Sequence, residues 1–192
     1  KTARTTGRFF DPIGRDLGEA LDRLGVRKQG VILRAALVLF GKRFIPDFPQ
    51  CALRLARFRG VTKDEFIDQK MVRGPAFMLL DEMVLFCDRH LPLSGKIVPG
   101  RLQREDRPLI PPDALREIAI NALVHRDYTI AGGDASLAIF DDRVEIWSAG
   151  KLPGGITPES LTMKPSSIRR NPIIAEAFHR AGLIEQWGRG TN

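Results

Sequence analysis

Glu117 and Asn121 are four positions apart in the stretch from Pro112 to His125, and a carboxylate beside an amide at that spacing is chemically useful. The stretch reads as a helix, opened by two prolines with Asp113 in its first turn. Leu115, Ile118, Ala119 and Ala122 form an apolar stripe, and Ile120, Leu123 and Val124 keep the other sides largely apolar, which is the pattern of a buried helix. Side chains four apart share a helix face, so Glu117 and Asn121 are expected together in a site with little water. Buried polar groups need partners. Either the two bond to each other and to backbone, or a bound metal or water completes the site; spacing alone favours the first reading.

Other residue types offer less. His125, followed by Arg126, Asp127 and Tyr128, is better placed to close the end of the helix with hydrogen bonds than to catalyse. Trp147 and Trp187 read as core or interface residues rather than stacking platforms. Gly41-Lys42 lacks the upstream glycine and the following Ser or Thr of a phosphate-binding P-loop, so nothing supports a helicase motor. Cys51 and Cys87 are the only cysteines; they are too far apart for a zinc motif, and two reduced core thiols suit a cytoplasmic protein.

The elements that must position Glu117 and Asn121 can be read from period and punctuation. Leu17, Ala20, Leu21 and Leu24 recur at helical spacing before Gly25. The apolar run Val31 to Phe40 and the segment Cys51 to Arg59, where Cys51, Leu53 and Leu55 share one side, predict at least one strand with a loop at Ile45 to Pro49, and Phe66 to Val72 predicts another. Gly74-Pro75 opens a helix reaching about His90. Leu91 to Pro112, rich in proline and charge, is an interdomain crossing or an extended edge strand, and a boundary is placed near residue 108. Beyond the 112 to 125 helix, Ala135 to Phe140 and Arg143 to Trp147 predict a hairpin turning at Asp141-Asp142. Helices near 158 to 163 and from Pro172 to Ala181 follow a Gly/Pro loop at 149 to 155.

The chain has 192 residues, 43% hydrophobic, enough for one sizeable core or two small ones. No run approaches a membrane span and no signal peptide is evident. The net charge of +7 is uneven, since residues 1–60 carry 13 Lys and Arg against 5 Asp and Glu, while the rest carry 17 against 18. Such a basic third is either a polyanion-binding face, with DNA as the partner, or a solvated surface. The polar opening Lys1 to Arg8, without an initiator Met, is expected of a piece of a longer protein.

The stretch Ala114-Leu115-Arg116-Glu117-Ile118-Ala119-Ile120-Asn121-Ala122-Leu123-Val124-His125-Arg126-Asp127-Tyr128 closely resembles the signature of bacterial RecG-related proteins described as ATP-dependent helicases or transcriptional regulators. The resemblance continues through Asp141 to Ile146, Gly150-Lys151-Leu152-Pro153, Arg170-Asn171-Pro172 and Gly182 to Gly190, and is weaker upstream at Ala36 to Lys42 and Leu53 to Gly60. In that family a Schlafen-like domain precedes and a winged helix often follows; here the first is expected to be truncated and the second missing. The family's C-terminal module is in turn similar to the GHKL ATPases. The resemblance therefore implies an α+β fold with a mixed sheet and helices packed on one face, with residues 1–108 as a basic N-terminal and middle region and 109–192 as the GHKL-like (Bergerat-type) domain.

What the resemblance implies about the site can be carried over residue by residue. In the Glu-x-x-x-Asn helix of GHKL proteins the Asn coordinates Mg²⁺ on ATP and the Glu, where hydrolysis occurs, activates water; Asn121 and Glu117 match these positions, and the chemistry agrees with oxygen ligation of Mg²⁺ and carboxylate base catalysis. The adenine box, Asp-x-Gly-x-Gly, corresponds to Ser148-Ala149-Gly150-Lys151-Leu152, with Ser at the Asp position and Leu at the second Gly, so Ser148 and Gly150 are the cofactor contacts implied there. Gly188 and Gly190 could form a loop whose backbone N–H groups face a phosphate, or a tight terminal turn. Together these imply an ATP-binding transcriptional regulator, a weak ATPase at most, that associates with itself and with DNA. The rival expectation is a degenerate scaffold for dimerisation or DNA contact without nucleotide.

Overall fold

In the computed structural model, residues 16–42, 51–96, 105–152 and 169–184 are described. Helix α1 (Leu17–Arg23) starts at Asp16, whose carboxylate accepts from the backbone N–H of Gly18 at 2.8 Å. Strands β1 (Arg27–Lys28) and β2 (Val31–Ile32) form a short hairpin, and helix α2 (Arg34–Phe40) follows at once. Of the two segments expected to hold at least one strand, Val31 to Phe40 is thus a helix for most of its length, and the strand lies in the other, at Ala52–Phe58. A short apolar run has no decisive period, and here the helix-favouring Arg34-Ala35-Ala36-Leu37 sets the conformation while Ala36, Val38 and Leu39 bury against the core.

Strands β3 (Ala52–Phe58) and β4 (Phe66–Arg73) pair antiparallel, and helix α3 (Ala76–His90) begins after Gly74-Pro75 as the punctuation predicts. The proline- and charge-rich stretch then supplies an antiparallel pair outside the main sheet, β5 (Leu93–Lys96) with β6 (Glu105–Pro108). Helix α4 (Pro112–Val124) leads to the hairpin of β7 (Ala135–Ile139) and β8 (Val144–Trp147), and α5 (Pro172–Arg180) is the last described element. The helix expected near 158 to 163 lies outside the described residues.

The main sheet has the order β4-β3-β7-β8 and is mixed, because β3 and β7 run parallel, with Leu53 opposite Ala135 and Leu55 opposite Leu137. This is an α+β fold. Leu53, Leu55, Ala135, Leu137 and Ile139 share one core with buried residues from four of the five described helices, among them Leu79, Met83, Leu123 and Phe178, while Leu21 of α1 packs against it partly buried. Burial of each such Leu or Ile contributes on the order of 2 kcal/mol. A second, small cluster of Phe58, Ala138 and Phe140 holds no helical residue. The division expected near residue 108 falls at the end of β6, and both the sheet and the main core run across it.

Candidate functional site

Helix α4 buries Leu115, Ala119, Ile120, Ala122, Leu123 and Val124, which fixes its rotation over the sheet. At 3.6 residues per turn the side left open carries Ala114, Ile118 and Asn121, with Glu117 at its border. Asn121 is exposed, Glu117 is half-buried and Ile118 is 42% exposed, so the dry environment expected around the pair is not what the structure shows. The physical reason is that Ile118, counted as core in the sequence, faces outward, leaving α4 one wet strip. Among the described residues, neither the Glu117 nor the Asn121 side chain has a hydrogen-bond or ion-pair partner, so the mutual bonding that spacing favours is not formed.

The C-terminal end of α4 is heavily bonded. The backbone N–H of His125 donates to the Asn121 carbonyl at 2.9 Å, and the Tyr128 hydroxyl donates to the Leu123 carbonyl at 2.9 Å. The Asn171 amide, at the start of α5, donates to the carbonyls of Val124 and Arg126 at 2.8 and 2.7 Å. Carbonyls at a helix end have no partners within the helix, and these donors supply them. Of the residues His125 to Tyr128 expected to cap the helix, Tyr128 does so with its side chain, and Asn171 supplies the other side-chain donor. Asn171 lies in a motif quoted above for its resemblance, but no local pattern reveals that its amide points backward to another helix.

The loop after β8 is tied to the same place. The Asp127 N–H donates to the Ala149 carbonyl at 2.7 Å, and the Arg170 guanidinium donates to an Asp127 carboxylate oxygen at 2.8 Å and to the Lys151 carbonyl. Asp127 also accepts from the hydroxyl and the backbone N–H of Thr129, and these bonds, with the Arg170 charge, hold its carboxyl below the usual carboxylate range. Gly150 has φ +128°, and a Cβ there would stand 2.9 Å from the Asp127 Cβ and 3.3 Å from the Arg170 Cζ. Ser148 is half-buried and Gly150 exposed. Asp127 and Arg170, present in the quoted motifs but not assigned to the site, thus fix the loop carrying Ser148 and Gly150 beside the C-terminal end of the helix that carries Glu117 and Asn121.

Electrostatically this junction is positive on one side. His125 is half-buried, and burial first, then the charges of Arg170 and Arg169, push its pKa below the ordinary histidine value. Arg126 is fully buried, with one guanidinium nitrogen 3.4 Å from the Ala52 carbonyl and its ring partner Tyr128 at 5.1 Å; its Nε and Nη2 have no hydrogen-bond partner. Gly188 and Gly190 lie outside the described residues. Among the described residues no group of three or more His, Cys, Asp or Glu is placed to hold a metal, and no helix is long and apolar enough to cross a membrane.

The mixed four-stranded sheet with helices on one shared core makes this an α+β fold. Residues 132–192 match the model of the family described as "Putative ATP-dependent DNA helicase recG C-terminal". That match takes in β7, β8, the Ser148 to Gly150 loop and α5, while Glu117 and Asn121 precede it. No curated protein matches the chain. Among solved structures the chain is similar in fold to the DIP2311 protein from Corynebacterium diphtheriae, with a TM-score of 0.72 and 23% identity over 96% of this chain and 36% of that one. The chain thus spans little more than a third of that protein's length.

Proposed function

We propose that the chain is the nucleotide-responsive part of a transcriptional regulator, binding ATP with Mg²⁺ between the open strip of α4 and the glycines Gly188 and Gly190. The observation that carries this reading is the pair Glu117 and Asn121, displayed on one side of α4 with both side chains free of partners among the described residues. The donor set fits: Mg²⁺ keeps several waters and takes most of its other ligands from phosphates, so one amide oxygen from Asn121 suffices on the protein side. Bound Mg-ATP would supply the labile phosphoanhydride. Asn121 would orient it, Ser148 and Gly150 would line the base end, and Glu117 would accept a proton from water if turnover occurs. The basic first third of the chain is the face assigned to duplex DNA.

A second reading, a scaffold that no longer binds nucleotide, is favoured by Ser148 and Leu152 in place of the adenine-reading Asp and the second Gly. The packing of Asp127 and Arg170 around Gly150 also accounts for that glycine without a ligand. Calorimetric titration with Mg-ATP separates the two readings. Wild type should bind at a single site, Asn121→Ala should weaken binding more than about tenfold, a loss near 1.4 kcal/mol, and Glu117→Gln should bind like wild type. Absence of heat with wild type leaves the scaffold.

A further inference from the structure

Strand β4 ends the main sheet, and one of its long sides is unpaired among the described residues. At eight residues it is the longest strand of the sheet, and Phe66, Ile67 and Met71 are 51%, 48% and 49% exposed. A long apolar edge is a ready template for another strand, and its unsatisfied N–H and C=O groups select what pairs there. The order of residues says which strand fits. Reversed about Gln69, the segment Ile67-Asp68-Gln69-Lys70-Met71 places Asp68 opposite Lys70, Ile67 opposite Met71, and Gln69 opposite itself. The Asp68–Lys70 pair is then of opposite charge and the Ile67–Met71 pair apolar, and each occurs twice about a two-fold axis through Gln69, as an interface between identical patches requires.

Side-chain directions agree with this register. Lys70 reaches Glu82 at 2.6 Å and Asp68 reaches His90 at 2.8 Å, so both point to the side of the sheet covered by α3. Alternation along the strand puts Gln69 and Met71 on the opposite side. Directly opposed residues of an antiparallel pair project to the same side, so Asp68 can meet the Lys70 of a second copy; Ile67, left without a partner on β3 by the register shift between Arg57 and Phe58, is set opposite Met71 by its position along the strand. Both charged side chains keep room for it, with Lys70 48% and Asp68 36% exposed. We propose that β4 pairs antiparallel with β4 of a second copy of this chain, centred on Gln69, joining two four-stranded sheets into one of eight. The proposal stands whether or not nucleotide binds.

Sedimentation equilibrium and oxidative cross-linking test it on the whole chain. Wild type should sediment as a dimer. Ile67→Lys with Met71→Lys sets like charges against each other twice per dimer and should raise the dissociation constant more than about tenfold, as should Ile67→Glu with Met71→Glu. Mixing the two double variants should restore a dimer, because Lys then faces Glu at each pair. Gln69→Cys should form a disulfide-linked dimer on mild oxidation, since that residue alone lies opposite its own copy. A wild type that stays monomeric, a dimer indifferent to both double variants, or a Gln69→Cys protein that does not cross-link overturns the proposal. Circular dichroism identical to wild type confirms that each variant is folded.

Discussion

His125 shows how one side chain can couple the helix end to pH. It is half-buried where α4 turns into the loop held by Asp127, and burial together with Arg170 and Arg169 lowers its pKa in the folded chain. A base with a lowered native pKa binds fewer protons folded than unfolded, so stability is complete above the unfolded value near 6.5 and declines as pH falls below it toward the native value. Thermal melts of wild type should therefore fall in midpoint from about pH 7 to about pH 5 more steeply than melts of His125→Asn. His90, paired with Asp68 in both proteins, cancels in that comparison. Equal slopes would mean that His125 charges as freely in the folded protein as in the unfolded one. The two asparagines of this region show the same contrast in use: Asn171 directs its amide to two carbonyls, whereas Asn121 leaves its own facing solvent.

At the level of elements, the junction of α4, the 148–151 loop and α5 is held mostly by bonds between residues far apart in sequence. Replacing Asn171 by Ala strips donors from the Val124 and Arg126 carbonyls, and the half-buried site predicts a loss of about 1–3 kcal/mol in urea denaturation, with an unchanged denaturant slope. An undiminished midpoint would show that water replaces the amide at no cost. Elements with a sustained period or clear punctuation were legible in the sequence, namely α3 after Gly74-Pro75, α4 after two prolines, and the β7–β8 hairpin at Asp141-Asp142. Helix α2 was not, because seven apolar-rich residues satisfy a strand and a helix equally until neighbours decide. The site was legible as a pair, Glu117 with Asn121. Its exposure was not, since that depends on Ile118 turning outward, and neither were Asp127, Arg170 and Asn171, whose partners lie up to 47 residues away.

At the scale of the whole molecule the sheet order matters more than the order of the chain. Strand β7 lies between β3 and β8, so its parallel partner comes from before the proline-rich stretch and its antiparallel partner from after it. Composition places a boundary near residue 108 because proline and charge concentrate there, yet parallel strands require a long crossover, and this stretch together with α3 and α4 lies within it. A fragment of residues 109–192 would expose one side of β7, with Leu137 and Ile139 losing the cover of Leu53 and Leu55, and α4 would lose its packing on α3. Such a fragment should show no cooperative unfolding transition and should bind a hydrophobic dye, whereas the whole chain should melt in a single step. Adding residues 1–108 as a separate chain should recover the transition, because only β3 completes the sheet. A sharp melt from the isolated fragment would mean that the β7–β8 hairpin, α4 and α5 form a core of their own, and that β3 and β4 are additions to it.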